Sequence, residues 1–79
     1  MNAKDAYRIV STYLIKNAKN VSKASKVKAS QRKEIDKLVG DKYSAAVDLL
    51  IDAFYDIEKY VSDNEPMEIL YDKVETICE

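Results

Sequence analysis

The 79-residue chain has room for one domain, carries a net charge of −1, and contains one Cys and no His. This composition excludes a disulfide framework and a His-containing zinc site, and the single Gly and single Pro are too few for a strand-and-turn protein. With 47 % hydrophobic and 34 % charged residues, the chain is predicted to be a folded, water-soluble, all-α domain over residues 1–79.

The first predicted helix begins after Asn2, a good N-cap residue that Asp5 follows three positions later. Apolar residues recur at intervals of three and four along one face of this helix. They are Ala3, Tyr7, Val10, Leu14, Ala18 and Val21. Ile9 and Tyr13 lie off that face and form a second, smaller apolar strip.

Residues 22–30, with the sequence SKASKVKAS, contain no helix breaker. Helix propensity therefore favours extension of the first helix to about residue 27, and a linker is the alternative. A short second helix is predicted from about Gln31 to Val39, with Ser30 as its cap and a thin apolar edge formed by Ile35, Leu38 and Val39. Gly40 suits the position just beyond its C-terminus.

The third predicted helix, from about Lys42 to Val61, is the longest and is expected to be central because its apolar arc is broad. Its core face holds Tyr43, Ala46, Val47, Leu50, Phe54, Ile57 and Val61. Ser62 to Pro66 form the clearest break, since Pro66 suits a first helical turn. A fourth helix then runs to Ile77 or Cys78, with Met67, Leu70, Tyr71, Val74 and Ile77 facing inward. The prediction is a small bundle of three main helices plus one short helix.

Charge is separated by sign along the chain. Residues 1–40 contain ten Lys or Arg against three Asp or Glu, a net charge of +7, whereas residues 41–79 contain three against eleven, a net charge of −8. Such asymmetry indicates interaction surfaces. Because a core this small is marginal, we also expect self-association to add stability.

Basic side chains follow one another at intervals of three, four and three, which places them in a row on a continuous helix. They are Lys16, Lys19, Lys23 and Lys26, and Arg32 and Lys33 extend the basic zone. A row of this kind neutralises phosphates, so sequence-tolerant, salt-sensitive nucleic-acid binding is one predicted function. An ordinary solvated helix face is the alternative.

Asp48, Asp52 and Asp56 are four residues apart and form an acidic row on the third predicted helix. The row is interpreted as a docking strip for a protein partner or as a mimic of a phosphate row that inhibits a nucleic-acid-binding protein. A solvated face is again the alternative. Three carboxylates on one helix cannot wrap a calcium ion, so no metal site is expected.

Ile9, Tyr13 and Tyr55 are the apolar interface candidates, because Tyr55 is predicted to point outward and exposed aromatic residues are enriched at interface hot spots. A tyrosine that simply lies along the helix surface is the alternative. Nothing in the sequence suggests catalysis: there is no His, no Gly-rich phosphate loop, and Cys78 reads as a small apolar residue.

The sequence therefore predicts a non-enzymatic helical module that binds a protein partner, itself, or both, and that regulates or inhibits the partner. Nucleic-acid binding through the Lys row and phosphate mimicry through the acidic row are the alternatives. No cofactor, metal or small-molecule substrate is expected. Without a signal peptide or a membrane span, and with a single unpaired Cys, the expected location is the cytoplasm.

Overall fold

The structure, a computed structural model, describes residues 1–60 and 67–79. In these ranges the chain forms four α-helices and two short 3-10 helices. The α-helices are α1 (Ala3–Asn17), α2 (Ala29–Ser44), α3 (Val47–Tyr55) and α4 (Glu68–Cys78), and the 3-10 helices are Ala24–Lys26 and Ile57–Lys59. Every pair of α-helices is in contact, so the predicted all-α bundle is confirmed.

The predicted start of α1 is confirmed by a reciprocal cap. Asn2 Oδ1 accepts a hydrogen bond from the Asp5 amide at 2.9 Å, and the Asp5 carboxylate accepts one from the Asn2 amide at 3.4 Å. These bonds satisfy two amides that would otherwise lack intrahelical partners.

The predicted extension of α1 to about residue 27 is wrong, because the helix ends at Asn17. The Ala18 amide donates to the Leu14 carbonyl at 2.9 Å, and Gln31 Nε2 donates to the Asn17 carbonyl at 2.8 Å. The exposed carbonyls at the helix end thus find partners without another turn. The chain then turns back and packs three small apolar residues against the core, namely Val21, Ala24 and Val27.

α2 begins after Lys28, two residues before the predicted cap at Ser30, and Gln31 Oε1 accepts a hydrogen bond from the Lys28 amide at 3.1 Å. Gly40 lies at φ 81° and ψ 171°, a region that is nearly restricted to glycine. It kinks the helix at the predicted terminus, and helical structure resumes through Ser44.

The prediction of a single long third helix is also wrong. The chain breaks at Ala45 and Ala46, and α3 is nine residues long, or about 13 Å. The shortest helix of the bundle is therefore the third and not the second. The break lets side chains from the end of α2 and from α3, such as Tyr43 and Leu50, enter one core. The predicted core position Val61 and the predicted break at residues 62–66 lie outside the described residues.

Within residues 1–60 and 67–79 the core contains fifteen buried apolar residues, which come from all four helices and from the chain just beyond the ends of α1 and α2. Its largest fully buried side chains are Tyr43, Leu14, Ile35, Leu50, Leu70, Val10, Val47 and Val74. On α4 the predicted inward position of Ile77 is wrong, because its side chain is 48 % exposed. Cys78 packs against the core instead.

Glu75 links three helices. Its Oε1 accepts hydrogen bonds from the Tyr43 hydroxyl at 2.7 Å and from the Ala3 amide at 2.9 Å, and its Oε2 lies 3.5 Å from Lys42 Nζ. The carboxylate of α4 thus sits at the positive N-terminus of α1, where a negative charge is stabilising.

Candidate interaction surface

A groove of about 380 Å³ lies between α1 and α2. Its apolar lining comes from Ile9, Tyr13 and Leu38, and Leu38 is 50 % exposed. The polar lining residues are Arg8, Thr12, Lys16 and Asn17. Two of the three interface candidates from the sequence, Ile9 and Tyr13, therefore share one site, which we call the α1–α2 groove.

Hydrogen bonds between the two helices hold this groove in shape. The Tyr13 hydroxyl donates to Glu34 Oε2 at 2.5 Å, one turn from the bond between Gln31 and the Asn17 carbonyl. The bond to Glu34 raises the pKa of Tyr13 to about 12, so the phenol is neutral at physiological pH. It also fixes the ring in the wall of the groove.

The rim of the α1–α2 groove is basic. Arg8 and Lys16 are exposed and lie eight residues apart on α1, which corresponds to about 12 Å. Neither forms an ion pair with another residue in the described ranges. Arg8 and Lys16 are the charged residues of the groove lining, and the Glu34 carboxylate, which accepts the Tyr13 hydroxyl, lies beside it.

Tyr55, the third candidate, does not join this groove. The prediction that it points outward is wrong, because its hydroxyl is buried and has no hydrogen-bond partner among the described residues. Burial raises the pKa of this phenol. Tyr55 instead lines a separate pocket of about 390 Å³, together with Ser22, Lys23, Ala24, Ser25, Asp52 and Asp56.

The acidic row is largely engaged within the fold. Asp48 forms an ion pair with Arg32, and Asp52 accepts a hydrogen bond from the Tyr60 hydroxyl and lies 3.3 Å from Lys59 Nζ. The bond from Tyr60, followed by that from Lys59, lowers the pKa of Asp52. Asp56 is exposed at the end of α3. Docking and phosphate mimicry by this row stay predictions.

The basic residues do not form one helical row, because α1 ends before most of them. Lys16 lies in the last turn of α1, Lys19 in the turn that follows, and Lys23 and Lys26 at the two ends of the first 3-10 helix. All four are exposed, as is Lys33 on α2. Arg32 differs, because it pairs with Asp48 and, at 3.3 Å, with Asp36. Nucleic-acid binding by these residues stays a prediction.

A second apolar groove, of about 560 Å³, lies between α3 and α4. Leu49, Ile69 and Ile77 provide its apolar lining, and we call it the α3–α4 groove. Its polar lining residues are Asp72, Lys73 and Thr76. The sequence patterns above do not predict this groove, although Ile69, an apolar residue off the core face, is a signal for it.

No group of three or more His, Cys, Asp or Glu that could hold a metal ion is found in the part of the chain that the structure describes. Burial raises the pKa of the Cys78 thiol, which keeps it protonated and poorly nucleophilic. The described residues provide two apolar grooves with charged side chains beside them.

Within residues 1–60 and 67–79, no helix is long and apolar enough to cross a lipid bilayer. No protein-family model, curated protein or solved structure matches the chain.

Proposed function

We propose that this protein is a non-enzymatic interaction module whose α1–α2 groove binds an acidic, apolar segment of a protein partner and thereby regulates that partner. The observation that carries the proposal is the position of Leu38 and the predicted interface residues Ile9 and Tyr13 in one groove between Arg8 and Lys16.

Apolar and aromatic side chains at the centre of a contact with polar groups at its rim are the usual anatomy of a protein interface. Burial of the exposed half of Leu38 and the accessible parts of Ile9 and Tyr13 would provide the affinity. Arg8 and Lys16, which form no ion pair with any described residue, would steer an acidic partner toward the groove and select its orientation.

Two matched variants test the proposal. Leu38→Asp places a carboxylate in the groove, whereas Ile15→Asp places one on an exposed aliphatic position of α1 that does not line it. Affinity capture from the native host, quantified by mass spectrometry, should show at least one protein whose recovery falls about tenfold or more for Leu38→Asp. Recovery should be unchanged for Ile15→Asp.

Circular dichroism of both variants checks that the helices are intact. If every captured protein is retained equally by wild type and Leu38→Asp, the groove is not the binding surface. Equal loss in both variants would likewise contradict the proposal, because it would point to a general effect of added negative charge.

Nucleic-acid binding is the second candidate, and the observation that favours it is the exposed basic connection after α1. Lys19, Lys23 and Lys26 protrude there without an ion pair to any residue in the described ranges. Fluorescence anisotropy with a labelled oligonucleotide should show affinity that falls steeply with salt. It should also fall on replacement of Lys16, Lys19, Lys23 and Lys26 by Gln, and binding that is unaffected by these replacements would remove this candidate.

A further inference from the structure

The lining of the α3–α4 groove contains one acidic and one basic residue, Asp72 and Lys73, and further exposed carboxylates lie on either side of it along the chain. Two acidic residues of α4, Glu68 and Asp72, are exposed, as is Glu79 just beyond the helix, and Asp72 lines the groove itself. Lys73 is the basic residue of this helix, and its Nζ lies 5.7 Å from the centre of the Tyr60 ring. The outer face of α4 therefore presents Ile69 and Ile77 beside a net negative charge.

The two grooves share no lining residue and belong to different helix pairs. One is therefore available while the other is occupied. Each also carries an aliphatic side chain that is about half exposed, Leu38 at 50 % and Ile77 at 48 %. Each surface thus offers both a cleft and a side chain that can enter the cleft of the other.

We propose that the occupant of the α1–α2 groove is the α3–α4 surface of a second copy of this chain. This inference rests on the proposed function, because it identifies the partner of the same groove. Ile77 of one copy packs against Ile9, Tyr13 and Leu38 of the next, and the acidic side of α4 meets Arg8 and Lys16.

The spacing of the groups agrees with this contact. Arg8 and Lys16 lie about 12 Å apart along α1, and Asp72 on α4 and Glu79 just beyond its end lie about 10 Å apart. Ile69 and Ile77 are separated by two turns, again about 12 Å. Both surfaces thus present their charged and apolar groups over the same length of helix.

Charge also selects the symmetry of the assembly. A two-fold contact of the α1–α2 groove with itself would place Arg8 and Lys16 of the two copies together, and like charges in contact are destabilising. Contact between unlike surfaces avoids this repulsion. Such a contact is heterologous, so it leaves one groove of each kind open at the ends and adds further copies head to tail.

Complementation between two variants tests this arrangement. Sedimentation velocity from about 10 µM to about 1 mM should show wild type growing from monomer to dimer and larger species, and less so at high salt. Leu38→Asp and Ile77→Asp should each be monomeric, because each has lost one surface. An equimolar mixture should form a dimer and stop there, because only one pair of intact surfaces remains.

Ile15→Asp is the matched control and should assemble as wild type does. A mixture of Leu38→Asp and Ile77→Asp that stays monomeric, or either variant alone that still forms dimers, would overturn the head-to-tail contact. A wild type that is monomeric throughout would also overturn it. In that case, groove-dependent capture of another protein from the host would leave the proposed function standing.

Discussion

Glu75 accepts a hydrogen bond from the Tyr43 hydroxyl, and this bond is the main cause of the lowered pKa of its carboxyl. The Ala3 amide and the Lys42 ammonium lower the pKa further, against the opposing effect of burial. Since the folded-state pKa lies below the unfolded value of 4.5, the carboxylate stabilises the fold above that pH. The contribution is lost as the pH falls through the folded-state pKa.

Replacement of Glu75 by Gln should therefore have an effect that depends on pH. Gln retains an oxygen that can accept both hydrogen bonds but carries no charge. Urea unfolding should give a lower free energy of unfolding for Glu75→Gln than for wild type at neutral pH. The difference should shrink as the pH falls through the folded-state pKa of the Glu75 carboxyl, because the wild-type side chain then also loses its charge. A difference that stays constant with pH would show that the charge of Glu75 does not contribute.

The buried hydroxyl of Tyr55 has no partner among the described residues. An unsatisfied buried polar group costs free energy, so Tyr55→Phe should leave stability unchanged or raise it by up to about 1 kcal/mol. Tyr43→Phe is the matched control and should be destabilising, because the Tyr43 hydroxyl donates to Glu75. Thermal and urea unfolding measure the stability of both variants against wild type. A clear loss of stability in Tyr55→Phe would mean that the hydroxyl is satisfied.

At the scale of the helices, Gly40 permits the kink of α2. An added Cβ would meet no atom within 4 Å, so the cost of a substitution comes from the backbone alone. Gly40→Ala should lower the free energy of unfolding by about 1–3 kcal/mol, because alanine is strained at a φ of 81°. A synthetic chain with D-alanine at this position should recover most of the loss, since D-residues favour positive φ. Equal stability of the glycine and L-alanine chains would contradict this reason.

Local signals predicted some helix ends and missed others. The cap at Asn2 was predictable because its partner Asp5 is three residues away, and the glycine kink was predictable because it is a property of one residue. The end of α1 at Asn17 was not predictable, because the group that donates to the Asn17 carbonyl is the side-chain amide of Gln31, which lies on another helix. The break before α3 was likewise not predictable, because it lies at Ala45 and Ala46 and contains no Gly or Pro.

In the molecule as a whole, two adjacent residues of α1 have opposite environments, one in the core and one on the surface. Leu14 is 1 % exposed and Ile15 is 61 % exposed. Leu14→Ala should cost about 2–5 kcal/mol, a large share of the stability of a domain this small, because it removes packed methyl groups and leaves a cavity. Ile15→Ala should change the free energy of unfolding by about 0.5 kcal/mol or less. If urea unfolding shows that Leu14→Ala and Ile15→Ala lower the free energy of unfolding by similar amounts, the assignment of Leu14 to the core and Ile15 to the surface is contradicted.

The amino-acid sequence alone predicts the all-α bundle, the core positions of Val10 and Leu14 on α1 and of Val47 and Leu50 on α3, and the separation of charge by sign. These properties follow from helical periodicity and composition, which act over a few residues. The packing of the helices places Ile9, Tyr13 and Leu38 in one groove, Tyr55 in a separate pocket, and Ile77 on the surface. Those outcomes depend on which helices meet and where each ends, and both are set by contacts between residues far apart in the chain.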